Sequence, residues 1–239
     1  MPELDHYGPL LPAQVRATRD RRAHEPLSIP AIAEEARALV ALGRLTDADR
    51  AMTDAAAFPA PLQPGRTVGS AMFYTGLELQ THGHKTEAQA MFARVIDWAQ
   101  HQSASLPGGE DAPLMMARAY YLLGYWQTAD ALFRIQLAAK PGSIEMLGLI
   151  GATAARRGDN AEPERMSNAL AAVDIPYTRG VNTMWRARIA AVLDQKDETI
   201  RLMRQAMTEG AIIDDIHIWT EFLALHGYAP YEALVKPIG

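Results

Sequence analysis

The chain contains no cysteine. Disulfide staples, cysteine-ligated zinc and a thiol nucleophile are therefore excluded. There is no surplus of positive charge. Twenty-three Lys and Arg face 28 Asp and Glu, for a formal net charge of −5, whereas a nucleic-acid footprint needs a basic face. No apolar run approaches the roughly 18 residues of a membrane-spanning helix. The start, Met1-Pro2-Glu3-Leu4-Asp5-His6, lacks the basic residues and apolar run of a secretory signal. These absences predict a cytoplasmic chain with neither a membrane nor a nucleic acid as partner.

Catalytic signatures are missing as well. No phosphate-cradling loop ends in Lys-Ser or Lys-Thr, and no glycine-rich nucleotide fingerprint follows a strand. No Gly-x-Ser-x-Gly elbow occurs. None of the seven histidines forms His-Glu-x-x-His. His82 and His84 flank a glycine turn and read as ordinary solvated histidines rather than a zinc site. The acids of Glu34-Glu35 and Asp214-Asp215 are adjacent, and adjacent helical residues do not face one another. Gly108-Gly109-Glu110-Asp111 differs in its order of acids from the tetrapeptide of diguanylate cyclases and has no α/β context. It reads as a loop leading into a capped helix. The expectation is a protein that is not an enzyme and carries no cofactor or metal.

What is present is helical periodicity. Of the 239 residues, 49 % are hydrophobic and 21 % charged, a balance that suits a globular chain with a sizeable core. Residues 1–27 hold four prolines and the basic cluster Arg16, Arg19, Arg21 and Arg22. They read as an arm or the remnant of a preceding unit, with a helix open to Leu10–Glu25. From Ile29 onward the apolar spacing is that of amphipathic helices. Ile32, Ala33, Ala36, Leu39, Val40 and Gly43 fall on one stripe, and Asp47 to Phe58 follows with Thr46 as its cap. Further helices are predicted over Thr67–Thr81, Thr86–His101, Ser143–Arg157 and Asn160–Val173. Asn160 caps the last of these, and Pro163 is tolerated in its first turn. Two more run from about Thr178 to Leu193 and from Asp197 to Glu209. Asp214–His226 and Ala229–Val235 read as a terminal helical cap. Proline- and glycine-rich loops separate units at 59–66 and 102–111.

The clearest unit runs from Pro113 to Pro141. Within it Ala119-Tyr120-Tyr121-Leu122-Leu123-Gly124-Tyr125-Trp126 leads through a turn into Ala129 and, four residues on, Phe133. Turn residues recur at Gly43, Gly83, Gly124, Gly158 and Asp194, at intervals of 40, 41, 34 and 36 residues. Small residues stand where two helices must approach closely: Ala36 with Ala48, Gly76 with Ala88, Ala117 with Ala129. A larger one (Met52, Phe92 or Phe133) follows four residues later. A lone helical hairpin cannot bury its apolar stripe, so such units must stack.

This order of small, aromatic and breaker residues resembles the tetratricopeptide repeat, whose period is about 34 residues. The resemblance implies an all-α superhelical solenoid of about five hairpins, at 29–59, 67–101, 111–141, 143–174 and 178–210, with a cap over 214–237. It further implies that the first helix of each pair lines a concave face that binds a protein or peptide segment. By that resemblance the groove residues are Arg37, Phe73, Tyr74, Leu77, Arg118, Tyr121, Trp185 and Arg188. Aromatic and arginine side chains of this kind dominate binding energy at interfaces, and the arginines suit an acidic or carboxylate partner. Phe73 and Trp185 equally suit core positions between neighbouring units.

The end of the chain, Leu225-His226-Gly227-Tyr228-Ala229-Pro230-Tyr231-Glu232-Ala233-Leu234-Val235-Lys236-Pro237, with Met207-Thr208-Glu209-Gly210 before it, is similar to the terminus of tetratricopeptide arrays in bacterial multidomain signalling proteins. Those arrays follow a serine/threonine kinase or a winged-helix domain. The similarity implies a sensory or scaffolding role in signalling. Two rivals remain open: self-association through the end helices, and a small ligand or substrate held in an apolar pocket.

Overall fold

The computed structural model describes residues 16–17, 29–56, 67–102, 112–174, 177–213 and 216–236. The arm at 1–27, apart from Arg16 and Ala17, the two separating loops, apart from Gln102, and the Asp214-Asp215 pair lie outside the described residues. Among the described residues all regular structure is helical. No helix among them is long and apolar enough to cross a membrane. The helices belong to two compact units, one ending at Leu123 and the other starting at Gly124.

The first unit holds α1 (Ile29–Ala41), α2 (Leu45–Ala56), α3 (Val68–Thr81), α4 (Lys85–Gln100) and α5 (Ala112–Leu122). Helices adjacent in sequence pack in pairs, α1 on α2 and α3 on α4, and α1 and α5 both lie against α3. The second unit holds α6 (Trp126–Ala139), α7 (Ile144–Arg156), α8 (Ala161–Ala171), α9 (Val181–Val192) and α10 (Lys196–Thr208). It ends in two 3-10 turns, Ile216–Ile218 and Thr220–Leu225, and in α11 (Ala229–Val235). Here α7 packs on α6 and α8, and α9 packs on α7, α8, α10 and the second 3-10 turn.

Four of the predicted turns share one hydrogen-bond pattern. After α1, α3, α7 and α9 the chain enters the left-handed region at Gly43, Gly83, Gly158 and Asp194. The next amide then reaches back five residues: Arg44 to the Leu39 carbonyl at 2.8 Å, His84 to Leu79 at 2.8 Å, Asp159 to Ala154 at 3.0 Å and Gln195 to Ala190 at 2.9 Å. This closure satisfies carbonyls that the helix end would otherwise orphan. It also sends the second helix of each pair back along the first.

Helix starts follow local chemistry. The Thr67 hydroxyl accepts from the Ser70 amide at 3.1 Å, capping α3. For α8 the expected cap, Asn160, makes no side-chain capping bond. The preceding Asp159 accepts from the Ala161 and Glu162 amides at 2.9 and 3.1 Å instead. Those amides, Glu162 first, hold the Asp159 carboxyl below the ordinary carboxylate range. A carboxylate reaches the open amides from one residue further back, and its charge suits the helix dipole. Thr46 is likewise not a cap, because α2 already begins at Leu45. Pro163 is the third residue of α8, where no intrahelical bond is lost.

Close approach explains the small residues, with one change of detail. A methyl group at Gly76 would sit 2.5 Å from the Phe92 ring. Gly76 therefore makes room for Phe92 itself, within its own hairpin, while Ala88 is buried one turn earlier on α4. Gly151 meets Met166 of α8 and Ile189 of α9. Phe92, Phe133, Ile150, Leu170, Ile189 and Met203 are all fully buried, each contributing ~1.5–3 kcal/mol by leaving water.

An ion-pair network links α6 to the rest of the second unit. Arg134 donates to Asp130 and to Glu162 of α8, each at 2.9 Å. Arg157 lies 3.4 Å from Asp130, and Arg165 pairs with Glu162. Burial raises the Glu162 carboxyl, but hydrogen bonds from Arg165 and Arg134 outweigh it and leave it below its usual value.

Candidate functional site

Helices α1, α3 and α5 carry five of the seven expected binding residues besides Phe73, and the structure ties most of them together through α3. The Arg37 Nε of α1 donates to the Glu78 carboxylate of α3 at 2.9 Å. The Glu78 side chain is only 6 % exposed, so the pair neutralises a charge that burial would otherwise penalise. His82, one turn on, lies 3.7 Å from the same carboxylate, and its Nδ1 is 2.9 Å from the Glu78 carbonyl oxygen. One turn before Glu78 stands Tyr74, 38 % exposed. Its ring meets Phe73 edge to face, with centroids 5.6 Å apart. The Arg118 guanidinium of α5 sits 5.7 Å from the Phe73 centroid, within cation–π range. Phe73 also touches Phe92 of the core, centroids 6.0 Å apart. Leu77 and Tyr121 are buried.

Phe73 is buried and joins Tyr74 and Arg118 to the core. Arg37 is bound to an internal carboxylate, and Arg118 lies over an aromatic ring. Tyr74 is the exposed large side chain of α3.

Trp185 and Arg188 lie on α9 in the second unit and form a separate group. Trp185 is buried, and Gly148 of α7 makes room for its indole, since a Cβ there would come within 2.2 Å of the ring. The Arg188 guanidinium stacks 3.6 Å from the Trp185 centroid and 5.2 Å from that of Trp219. It donates to the Glu221 carboxylate at 3.1 and 3.3 Å. Glu221 is 1 % exposed at its side chain. A carboxylate so deeply buried is tolerable only when it is paired and hydrogen-bonded.

Glu78, Trp219 and Glu221 belong to these two groups and were not singled out from the sequence. Arg37 and Glu78 are 41 residues apart, and Arg188 and Glu221 are 33 apart. A periodicity argument carries no sign of which arginine will meet which acid. One faint signal was available: Glu78 falls in a helix whose other buried residues are mostly apolar, and Glu221 stands directly before buried Phe222. An acid in such a place needs a partner.

No family model, curated protein or solved structure matches the chain.

Proposed function

We propose that this chain is a non-catalytic scaffold that binds a protein or peptide segment, built as a tetratricopeptide-like solenoid. First helices packed side by side support the reading: α1 against α3, α3 against α5, and α7 against α9. The turn shared by four hairpins supports it too, because an array is built from repeats of one structural unit. The observation that carries it is exposed Tyr74 on α3, a first helix that packs against the two carrying Arg37 and Arg118. Tyrosine with arginine is the usual make-up of an interface hot spot. Because Arg37 already pairs with Glu78, the partner meets a face of tempered positive charge: an aromatic or apolar segment with an acidic flank.

The role this suits is the sensory or scaffolding part of a bacterial signalling system in the cytoplasm. Self-association through the far end of the second unit is less favoured, since Phe222, Leu225 and Tyr231 already cover the apolar surface of α9 and α10.

The test is recovery of partners from the native host with wild type and Tyr74→Ala as baits. Both chains should show the same helical circular dichroism, and the substituted bait should lose its specific partner. Identical partners on both baits would remove Tyr74 and its face of α3 from the binding surface. Turnover of any small molecule, abolished by one point substitution, would overturn the scaffold reading altogether.

A further inference from the structure

The segment from Trp219 to Leu225 sits on α9 as a ligand would. It is a 3-10 turn, a form with poorer hydrogen-bond geometry than the α-helix and uncommon beyond three or four residues. Its backbone bonds run along the segment itself, from the Phe222 amide on the Trp219 carbonyl at 3.0 Å to the His226 amide on Leu223 at 3.3 Å, and so hold it to no other element. What holds it against α9 is side-chain recognition. Phe222 and Leu225 enter the cluster made by Met184, Ala187, Ala190 and Ala191 of α9 with residues of α10. Trp219 packs on Phe222, centroids 5.9 Å apart. Between them Glu221 reaches Arg188, whose guanidinium is held against Trp185. Two aromatic residues, one carboxylate and one leucine are read by a fixed set of partners on a first helix.

A plain structural cap has no need of the ion pair. Replacing a buried pair by apolar side chains of similar volume is often neutral or stabilising, while such pairs can specify which partner docks and in what register. The Arg188–Glu221 pair is therefore the kind of contact that selects a segment rather than one that the stack requires.

We propose that the α9 face is a peptide-docking site, that Trp219–Leu225 is its resident pseudo-ligand, and that a partner protein's segment of the same chemistry displaces it. That segment carries a glutamate preceded two residues earlier by one aromatic and followed at once by another, with a leucine three residues after the second. The inference extends the scaffold reading to the second unit and rests on it. It uses none of the α3 residues, so Tyr74→Ala should leave it untouched and the two proposals fail separately.

The probe is a fluorescent peptide of the sequence from Ile216 to His226, titrated into the full chain. Wild type, with its own segment seated, should bind weakly. Glu221→Gln keeps the shape but removes the in-cis carboxylate. That chain should bind the peptide about tenfold or more tightly, the worth of a charged hydrogen bond. The gain should vanish when the peptide's glutamate is glutamine, and when Arg188→Gln is added to the protein. A folded Glu221→Gln chain that binds no better than wild type would show a permanent cap and overturn the proposal. So would a wild-type dimer dissolved by Glu221→Gln, which would make a second copy the occupant. Amide exchange in wild type decides independently, even if the variant fails to fold. Amides of residues 222–226 opening ahead of α9 support displacement, and opening only in step with α9 overturns it.

Discussion

Asp194 is the residue at which one turn of the chain departs from its relatives. In the other hairpins that share its closure, the left-handed position is Gly43, Gly83 or Gly158, and here it is an aspartate with φ of 57°. Left-handed backbone costs an L-residue ~1–2 kcal/mol, less for Asp and Asn, whose short side chains bond locally. The compensation is slight, because the Asp194 carboxylate is exposed and lies 3.8 Å from Lys196. An exposed pair of that kind is worth little. Asp194→Gly is therefore expected to stabilise the chain by about 0.5–1 kcal/mol, read as a higher urea midpoint at unchanged slope. The turn was legible in the sequence because its chemistry is local, one residue that tolerates positive φ between two apolar stripes. The ion pairs were not, because Glu78 and Glu221 meet arginines that no local rule connects to them.

At the scale of elements, most helix boundaries read from periodicity came through to within a residue or two, the caps Thr46 and Asn160 did not, and neither did the terminal segment. Asp214–His226 reads as a helix by composition, yet Ile216–Ile218 and Thr220–Leu225 are 3-10 turns joined at Trp219, whose backbone is extended. Tertiary burial decides there. Ile216, Ile218, Phe222 and Leu225 all turn inward, and their spacing of two, four and three residues does not lie on one α-helical stripe. Tyr231 of α11 joins the same cluster. Burial, with Glu232 adding to it, pushes its hydroxyl from 10.0 to about 12. The folded state thus keeps a proton that the unfolded state begins to lose near pH 10. Stability is unaffected below that point and falls as pH rises from 10 to 12, by up to about 3 kcal/mol from this group. Tyr231→Phe should abolish that part of the alkaline loss. Urea midpoints at pH 9 and pH 11 should then differ less in the variant than in wild type, while the deprotonation of lysines contributes equally to both.

For the molecule as a whole, the question is whether stability is shared or local. In a stack of hairpins each element touches only its neighbours, and the free energy is a sum of unit and interface terms. Phe133 is the sharpest place to ask. It is fully buried on α6, and α6 meets α7. Phe133→Ala is expected to cost ~3–5 kcal/mol, a large share of a domain stability of ~5–15 kcal/mol, and to lower the melting temperature well below wild type. The pattern of the loss matters more than its size. Under the stacked-unit reading, amide exchange should accelerate most in α6, α7 and α8, while α1 and α3 keep the protection they have in wild type. Equal acceleration in every helix would mean one cooperative core and would remove the solenoid reading, and the face on α3 would then need a different frame. An unchanged melting temperature would instead contradict the placement of Phe133 in the packing register.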